Sequence, residues 1–155
     1  MYSSALVVGY SEVAGSSLTH AFLFNGTGGL QDLGTLGGTD TRAYGINSAG
    51  EVVGISSTSG NVASHGFLYA DGTLVDLNII TNAPGYVILG AVSINSSGQI
   101  AGTALSPSGV SHAIILTPTA VPSPAAAWMG LSTTALGVAA LGMRRRRNRG
   151  RCHRG

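Results

Sequence analysis

Lysine is absent from the 155 residues, and Asp, Glu, Lys and Arg together make up only 9%. An average soluble domain carries about 25% charged residues. So little charge excludes a coiled coil or helical bundle, which draw on Ala, Glu, Lys and Leu in quantity. Cysteine occurs once, as Cys152. That excludes a disulfide framework and any multi-thiolate metal site. Proline numbers five, and glycine follows no three-residue period, which excludes collagen. Basic charge is missing from the body. Up to residue 143 a single Arg42 faces Glu12, Asp32, Asp40, Glu51, Asp71 and Asp76, a net charge of −5, while residues 144–155 carry seven arginines. The body therefore offers no basic surface to a phosphate backbone, and no nucleic-acid partner is expected. With 44% hydrophobic residues, the chain is too apolar for charge-driven disorder.

What is abundant is glycine, 24 residues, about twice the usual share of roughly 7%. It punctuates an internal repeat. Val7-Val8-Gly9-Tyr10-Ser11 returns as Val52-Val53-Gly54-Ile55-Ser56 and as Ile100-Ala101-Gly102-Thr103-Ala104. His20-Ala21-Phe22-Leu23-Phe24 returns as His65-Gly66-Phe67-Leu68-Tyr69 and as His112-Ala113-Ile114-Ile115-Leu116. Leu30-Gln31-Asp32-Leu33 returns once, as Leu74-Val75-Asp76-Leu77, and Gly45-Ile46-Asn47-Ser48-Ala49-Gly50-Glu51 returns as Ser93-Ile94-Asn95-Ser96-Ser97-Gly98-Gln99. Offsets of 44 to 48 residues between copies indicate a solenoid, propeller or array.

Each unit reads as short strands joined by turns. Residues 20–25 and 30–34 form one pair, residues 65–70 and 73–77 another. Asp71-Gly72 between two apolar runs is the signature of a two-residue hairpin turn with positive φ. Asn25-Gly26 opens the equivalent, slightly longer loop. Asn47-Ser48-Ala49-Gly50 and Asn95-Ser96-Ser97-Gly98 are further turns. In Phe22-Leu23-Phe24 and Phe67-Leu68-Tyr69 both alternate faces are apolar, so these strands are expected to be buried on both sides. About four strands per unit is the arithmetic of a propeller blade. The expected fold is all-β, a propeller-like repeat of short antiparallel strands over residues 1–117. It amounts to about two and a half units, too few to close a ring. The pattern is entered mid-unit with no signal peptide ahead of it. That suggests the C-terminal part of a longer repeat protein, a truncated product, or a curved open sheet that pairs with other copies.

Residues 118–124 hold three of the five prolines and predict an extended linker without sheet pairing. Residues 125–143 contain no charge and end directly in Arg144, Arg145, Arg146 and Arg147. A helix of about 19 residues would span roughly 29 Å, close to the hydrocarbon thickness of a bilayer. The expectation is one transmembrane helix over 125–143 with an Arg-rich cytoplasmic tail over 144–155, the body being exported.

Chemistry-bearing residues are few. His20, His65 and His112 could suggest zinc. They occupy one phase of successive units, however, and are expected to start strands rather than to converge. Asp32 and Asp76 also share a phase, and backbone capping is the expected role. Gly26-Thr27-Gly28-Gly29 and Gly34-Thr35-Leu36-Gly37-Gly38 resemble phosphate loops, yet no lysine completes a Walker motif and neither stretch opens a helix. No Gly-x-Ser-x-Gly elbow is present. No catalytic residue, cofactor or metal site is expected.

Two resemblances can be set on these residues. The string around His20-Ala21-Phe22, Asp32-Leu33-Gly34-Thr35-Leu36-Gly37-Gly38 and Ile46-Asn47 resembles the bacterial extracellular HAF repeat. The second copy departs from it, with Gly66 for Ala and Leu77-Asn78-Ile79-Ile80 for Leu-Gly-Thr-Leu. Val121, Pro122, Ser123 and Pro124, the charge-free run and the Arg cluster together resemble a PEP-CTERM sorting signal, with Ser123 in place of the expected Glu. That resemblance implies recognition by an exosortase-type membrane peptidase, with Val121, Pro122, Ser123 and Pro124 as the sorting motif and Arg144 to Arg147 setting topology. It implies a passage through the inner membrane and a mature form at the cell surface or outside the cell. The expected function is a non-enzymatic, structural or adhesive repeat protein, with extracellular polysaccharide or matrix as its contact. The alternative is a fragment of a propeller-type hydrolase or lyase whose active site lies in further blades.

Overall fold

A computed structural model describes residues 5–118 and 136–140, and there the chain is all-β. The strands group by repeat unit. Sheet I holds β1 (Val7–Glu12), β2 (Thr19–Phe24) and β3 (Gln31–Asp32). Sheet II holds β4 (Gly37–Ile46), β5 (Val52–Thr58), β6 (Ser64–Ala70) and β7 (Thr73–Asp76). One helical turn, α1 (Leu77–Ile80), and β8 (Thr81–Asn82) lead onward. Sheet III holds β9 (Val87–Ile94), β10 (Ile100–Leu105), β11 (Ser111–Pro118) and β12 (Leu136–Ala140). Within each unit the strands pair antiparallel in chain order. A single parallel bridge, Thr19 to Asp40, links sheet I to sheet II, and β8 runs parallel to β12. The described strands do not close into a ring.

The register superimposes the repeats. Val7, Val52 and Ile100 pair with Phe24, Tyr69 and Leu116, and Val8, Val53 and Ala101 pair with Leu23, Leu68 and Ile115. The turns expected at Asp71-Gly72 and at the two Asn-x-x-Gly sites form. Asp71 and Gly72 have φ of 51° and 78°, the doubly positive pattern of a type I′ hairpin turn. The Asn47 side chain accepts from the Ala49 and Glu51 N–H groups, as Asn95 does from Ser97 and Gln99.

Glycine in the Val-Val-Gly strand has a steric cause. β4 carries a bulge between Ala43 and Gly45, opposite Gly54, and β9 carries one opposite Gly102. A bulge crowds the strand beside it. A Cβ on Gly54 would lie 1.9 Å from the Arg42 carbonyl oxygen, and one on Gly102 would lie 2.3 Å from that of Gly90.

Apolar side chains fill two layers between the sheets. Val8, Ala21, Leu23 and Leu33 from sheet I meet Ala43, Val52, Phe67 and Tyr69 from sheet II. Val53 and Leu68 from sheet II and Leu77 from α1 meet Ile88, Ile94, Ile100, Ile114 and Leu116 from sheet III. Val52 and Val53 are adjacent in sequence and both 0% exposed. Successive strand residues point to opposite faces, so sheet II is covered on both sides. The two-sided burial expected of Phe67-Leu68-Tyr69 holds. Phe22, Leu23 and Phe24 are only half-buried, because among the described residues sheet I has a neighbouring sheet on one face alone.

The third sheet runs into the expected linker and span. Pro118 is the last residue of β11 and stands opposite Leu136. Proline lacks only the donor, and a strand end tolerates it. Leu136–Ala140, five residues of the expected span, are extended and pair with β11. Extended backbone there satisfies the open edge of β11. The other residues of that expected span, Val121, Pro122, Ser123, Pro124 and Arg144 to Arg147 lie outside the described residues. Among the described residues no helix is long and apolar enough to cross a membrane.

Candidate functional site

The histidines and aspartates that the sequence singles out meet in pairs. His20 is the second residue of β2, and Asp32 ends β3 opposite Phe22. His65 is the second residue of β6, and Asp76 ends β7 opposite Phe67. A residue two positions from a direct partner is a diagonal neighbour on the same face, within reach of a long side chain. His20 Nδ1 lies 2.7 Å from Asp32 Oδ2, and His65 Nδ1 lies 2.6 Å from Asp76 Oδ2. A carboxylate only accepts, so Nδ1 carries the proton in both pairs.

The second carboxylate oxygen does the capping expected from sequence. Asp32 Oδ1 accepts from the Gly34 N–H at 2.8 Å. Asp76 Oδ1 accepts from the Asn78 N–H at 2.8 Å and caps α1. Each aspartate thus ties the last strand of its sheet to the one before it and also fixes the turn that leaves the sheet. The environments differ. The Asp32 side chain is 57% exposed and that of Asp76 12%. At Asp32 burial pushes the carboxyl upward. The hydrogen bonds from His20 and the Gly34 N–H outweigh it, with the nearby imidazole adding to them, and hold Asp32 below the usual carboxylate range.

The third unit lacks the pair. The position opposite Ile114 is Ala140, which has no carboxylate. His112 instead stands edge-on to the Tyr86 ring, with centroids 6.3 Å apart. Sequence reasoning recovered the capping and missed the His–Asp contact. Its signal was present: His and Asp recur together at spacings of 12 and 11 residues in two units and are parted in the third.

A His–Asp pair can orient an imidazole as a general base for a hydroxyl nucleophile. Ser11 faces His20 across β1 and β2, and Ser56 faces His65 across β5 and β6. Their hydroxyls are engaged elsewhere. Ser11 Oγ donates to the Glu12 carbonyl. Ser56 Oγ shares a 2.7 Å hydrogen bond with Thr41 and accepts from the Leu36 N–H at 2.9 Å. The equivalent position in the third unit is Ala104. Among the described residues, no three His, Cys, Asp or Glu side chains gather as metal ligands would.

The glycine-rich stretch 34–38 connects β3 to β4 and enters β4 at Gly37. Gly34 and Gly37 have φ of 75° and 97°, and a Cβ on Gly38 would come within 2.5 Å of Ser57 Cβ. Beside it Asp40, Arg42, Tyr44, Ile55, Ser56 and Ser64 border a cleft of about 250 Å³. There Arg42 pairs with Asp40 at 2.7 Å, which raises the guanidinium further above its ordinary value, and the guanidinium lies 5.2 Å from the Tyr10 ring centre. The ion pair lies within β4, and the cation–π contact links β4 to β1. No family model, curated protein or solved structure matches the chain.

Proposed function

We propose that the chain is a non-enzymatic, surface-associated or secreted repeat protein of the HAF type, structural or adhesive in the envelope or extracellular matrix. Its units stack as propeller-like blades. The observation that carries this reading is the use made of the body's recurring His and Asp residues. In both complete units they hold strand to strand and cap a turn, which leaves polar loops and sheet edges as the contact surface. Weak contact repeated over several units suits an extended polymer such as a polysaccharide.

Sorting follows from the tail. Val121, Pro122, Ser123 and Pro124 form the motif presented to an exosortase-type peptidase, residues 125–143 form a single span, and Arg144 to Arg147 hold its end in the cytoplasm. A charge-free segment can satisfy its backbone in two ways. It can pair with the β11 edge in water or close its own helical hydrogen bonds in lipid. After cleavage beyond the proline motif, sheet III would keep three strands, as sheet I has.

Intact mass of the envelope-associated protein tests the reading. Loss of everything beyond the 121–124 motif is expected, with a larger cleaved fraction for Ser123→Glu and an uncleaved product when Arg144 to Arg147 are replaced by Gln. A body that protease protection places in the cytoplasm would overturn it.

A further inference from the structure

The sheets stack with a direction. In sheet I, Val8, Ala21 and Leu23 face sheet II, and sheet II answers with Val52, Phe67 and Tyr69. In sheet II, Val53 and Leu68 face sheet III, and sheet III answers with Ile100, Ile114 and Leu116. Each internal interface therefore joins the forward face of one unit to the rear face of the next, and the same repeat positions are used both times.

Among the described residues the stack ends in one unpaired face of each kind. By strand alternation, Val7, Phe22 and Phe24 lie on the rear face of sheet I, opposite to Val8, Ala21 and Leu23. They are the counterparts of Val52, Phe67 and Tyr69. Val7 is 48% exposed, and Leu30, 61% exposed, borders the same surface beside Phe22 and His20. At the other end Ala101 and Ile115 lie on the forward face of sheet III, as the counterparts of Val53 and Leu68. Ile115 is 38% exposed, whereas its neighbours Ile114 and Leu116 are buried against sheet II.

We propose that the forward face of sheet III docks on the rear face of sheet I in a second copy of this chain, a head-to-tail association that continues the internal stack. The occupant is specified by the interfaces already formed: Leu and Val from one sheet against aromatic and β-branched side chains from the next. An Ile115 and Ala101 surface meeting Val7, Phe22 and Phe24 repeats that chemistry. Because the two faces differ, the contact is heterologous. One copy can lose its forward face and still accept a partner at its rear. The proposal stands apart from how the chain is sorted.

The test is light scattering on the full chain in mild detergent, with Ile115→Arg and Phe22→Arg variants. The wild type is expected to associate with rising concentration, and each variant alone to be monomeric. An equimolar mixture of the two is expected to give a 1:1 heterodimer, since one keeps an intact rear face and the other an intact forward face. Val7→Arg, at a more exposed position on the rear face, is expected to reproduce Phe22→Arg, and circular dichroism of each variant confirms the β fold. A wild type that stays monomeric at about 100 μM would overturn the proposal. So would variants that associate like the wild type, which would place the contact elsewhere, or folded variants whose mixture remains monomeric.

Discussion

Sheets II and III are built on one frame and finished differently. Both place a bulged first strand against a glycine, both start the third strand at a histidine, and both send alternate apolar residues into the shared layer. In sheet II the fourth strand brings Asp76 to His65. In sheet III the corresponding register position is Ala140, and His112 turns to an aromatic edge. The frame therefore does not depend on the His–Asp contact. Packing and bulge geometry define the unit, and the His–Asp contact ties down a strand that the frame has already positioned.

That ordering can be tested by breaking each feature in both sheets. The largest effect is expected at the bulge glycines. A methyl group on Gly54 has no room beside the Arg42 carbonyl. Gly54→Ala should therefore cost more than the about 1–3 kcal/mol of ordinary overpacking. Gly102→Ala should behave alike, both read by urea unfolding. If either variant unfolds like the wild type, the bulge account of the repeated glycine is wrong.

Next comes the core. Phe67 is 0% exposed and Ile114 3%. Truncation to Ala should cost about 3–5 kcal/mol at Phe67 and about 2–5 kcal/mol at Ile114. A much smaller cost at Ile114 would mean that sheet III is held more loosely than sheet II.

The His–Asp contacts come last. Asp76→Asn keeps the shape and removes the charge in a pair that is mostly buried. It should cost about 1.5–3 kcal/mol, as hydrogen bonds to charged groups do. Asp32→Asn acts on a largely exposed side chain and should cost less than about 1 kcal/mol. The pH dependence follows from the lowered Asp32 value. Its folded-state pKa lies below its unfolded one, so its contribution is complete above the ordinary carboxylate range and is lost as pH falls through the folded value. Wild type and Asp32→Asn should therefore converge in stability as pH falls below the ordinary carboxylate range and separate above it. A difference that grows toward acid would contradict the assignment.

Much of this was legible in the sequence because the repeat samples each position two or three times. A lone Asn-x-x-Gly is a weak turn signal, but Asn47 and Asn95 at one phase fix the turn and the strand after it. The all-β class, the hairpin at Asp71-Gly72 and the capping by Asp32 and Asp76 follow from local rules that the backbone obeys. What escaped is what depends on partners distant in sequence. Gly66 reads as a departure from alanine, yet its reason lies in sheet III, where a Cβ would come within 2.9 Å of Ile88 Cγ2. The His–Asp pairs need the cross-strand register.

The central claim is that His65 and Asp76 act on each other as a structural tie. A double-mutant cycle by urea unfolding of His65→Ala, Asp76→Ala and the double variant tests it most directly. The account predicts a coupling of about 1–2 kcal/mol for this pair, and strict additivity when His112→Ala replaces His65→Ala. Additive effects at His65 and Asp76, or equal coupling of Asp76 to His112, would contradict it.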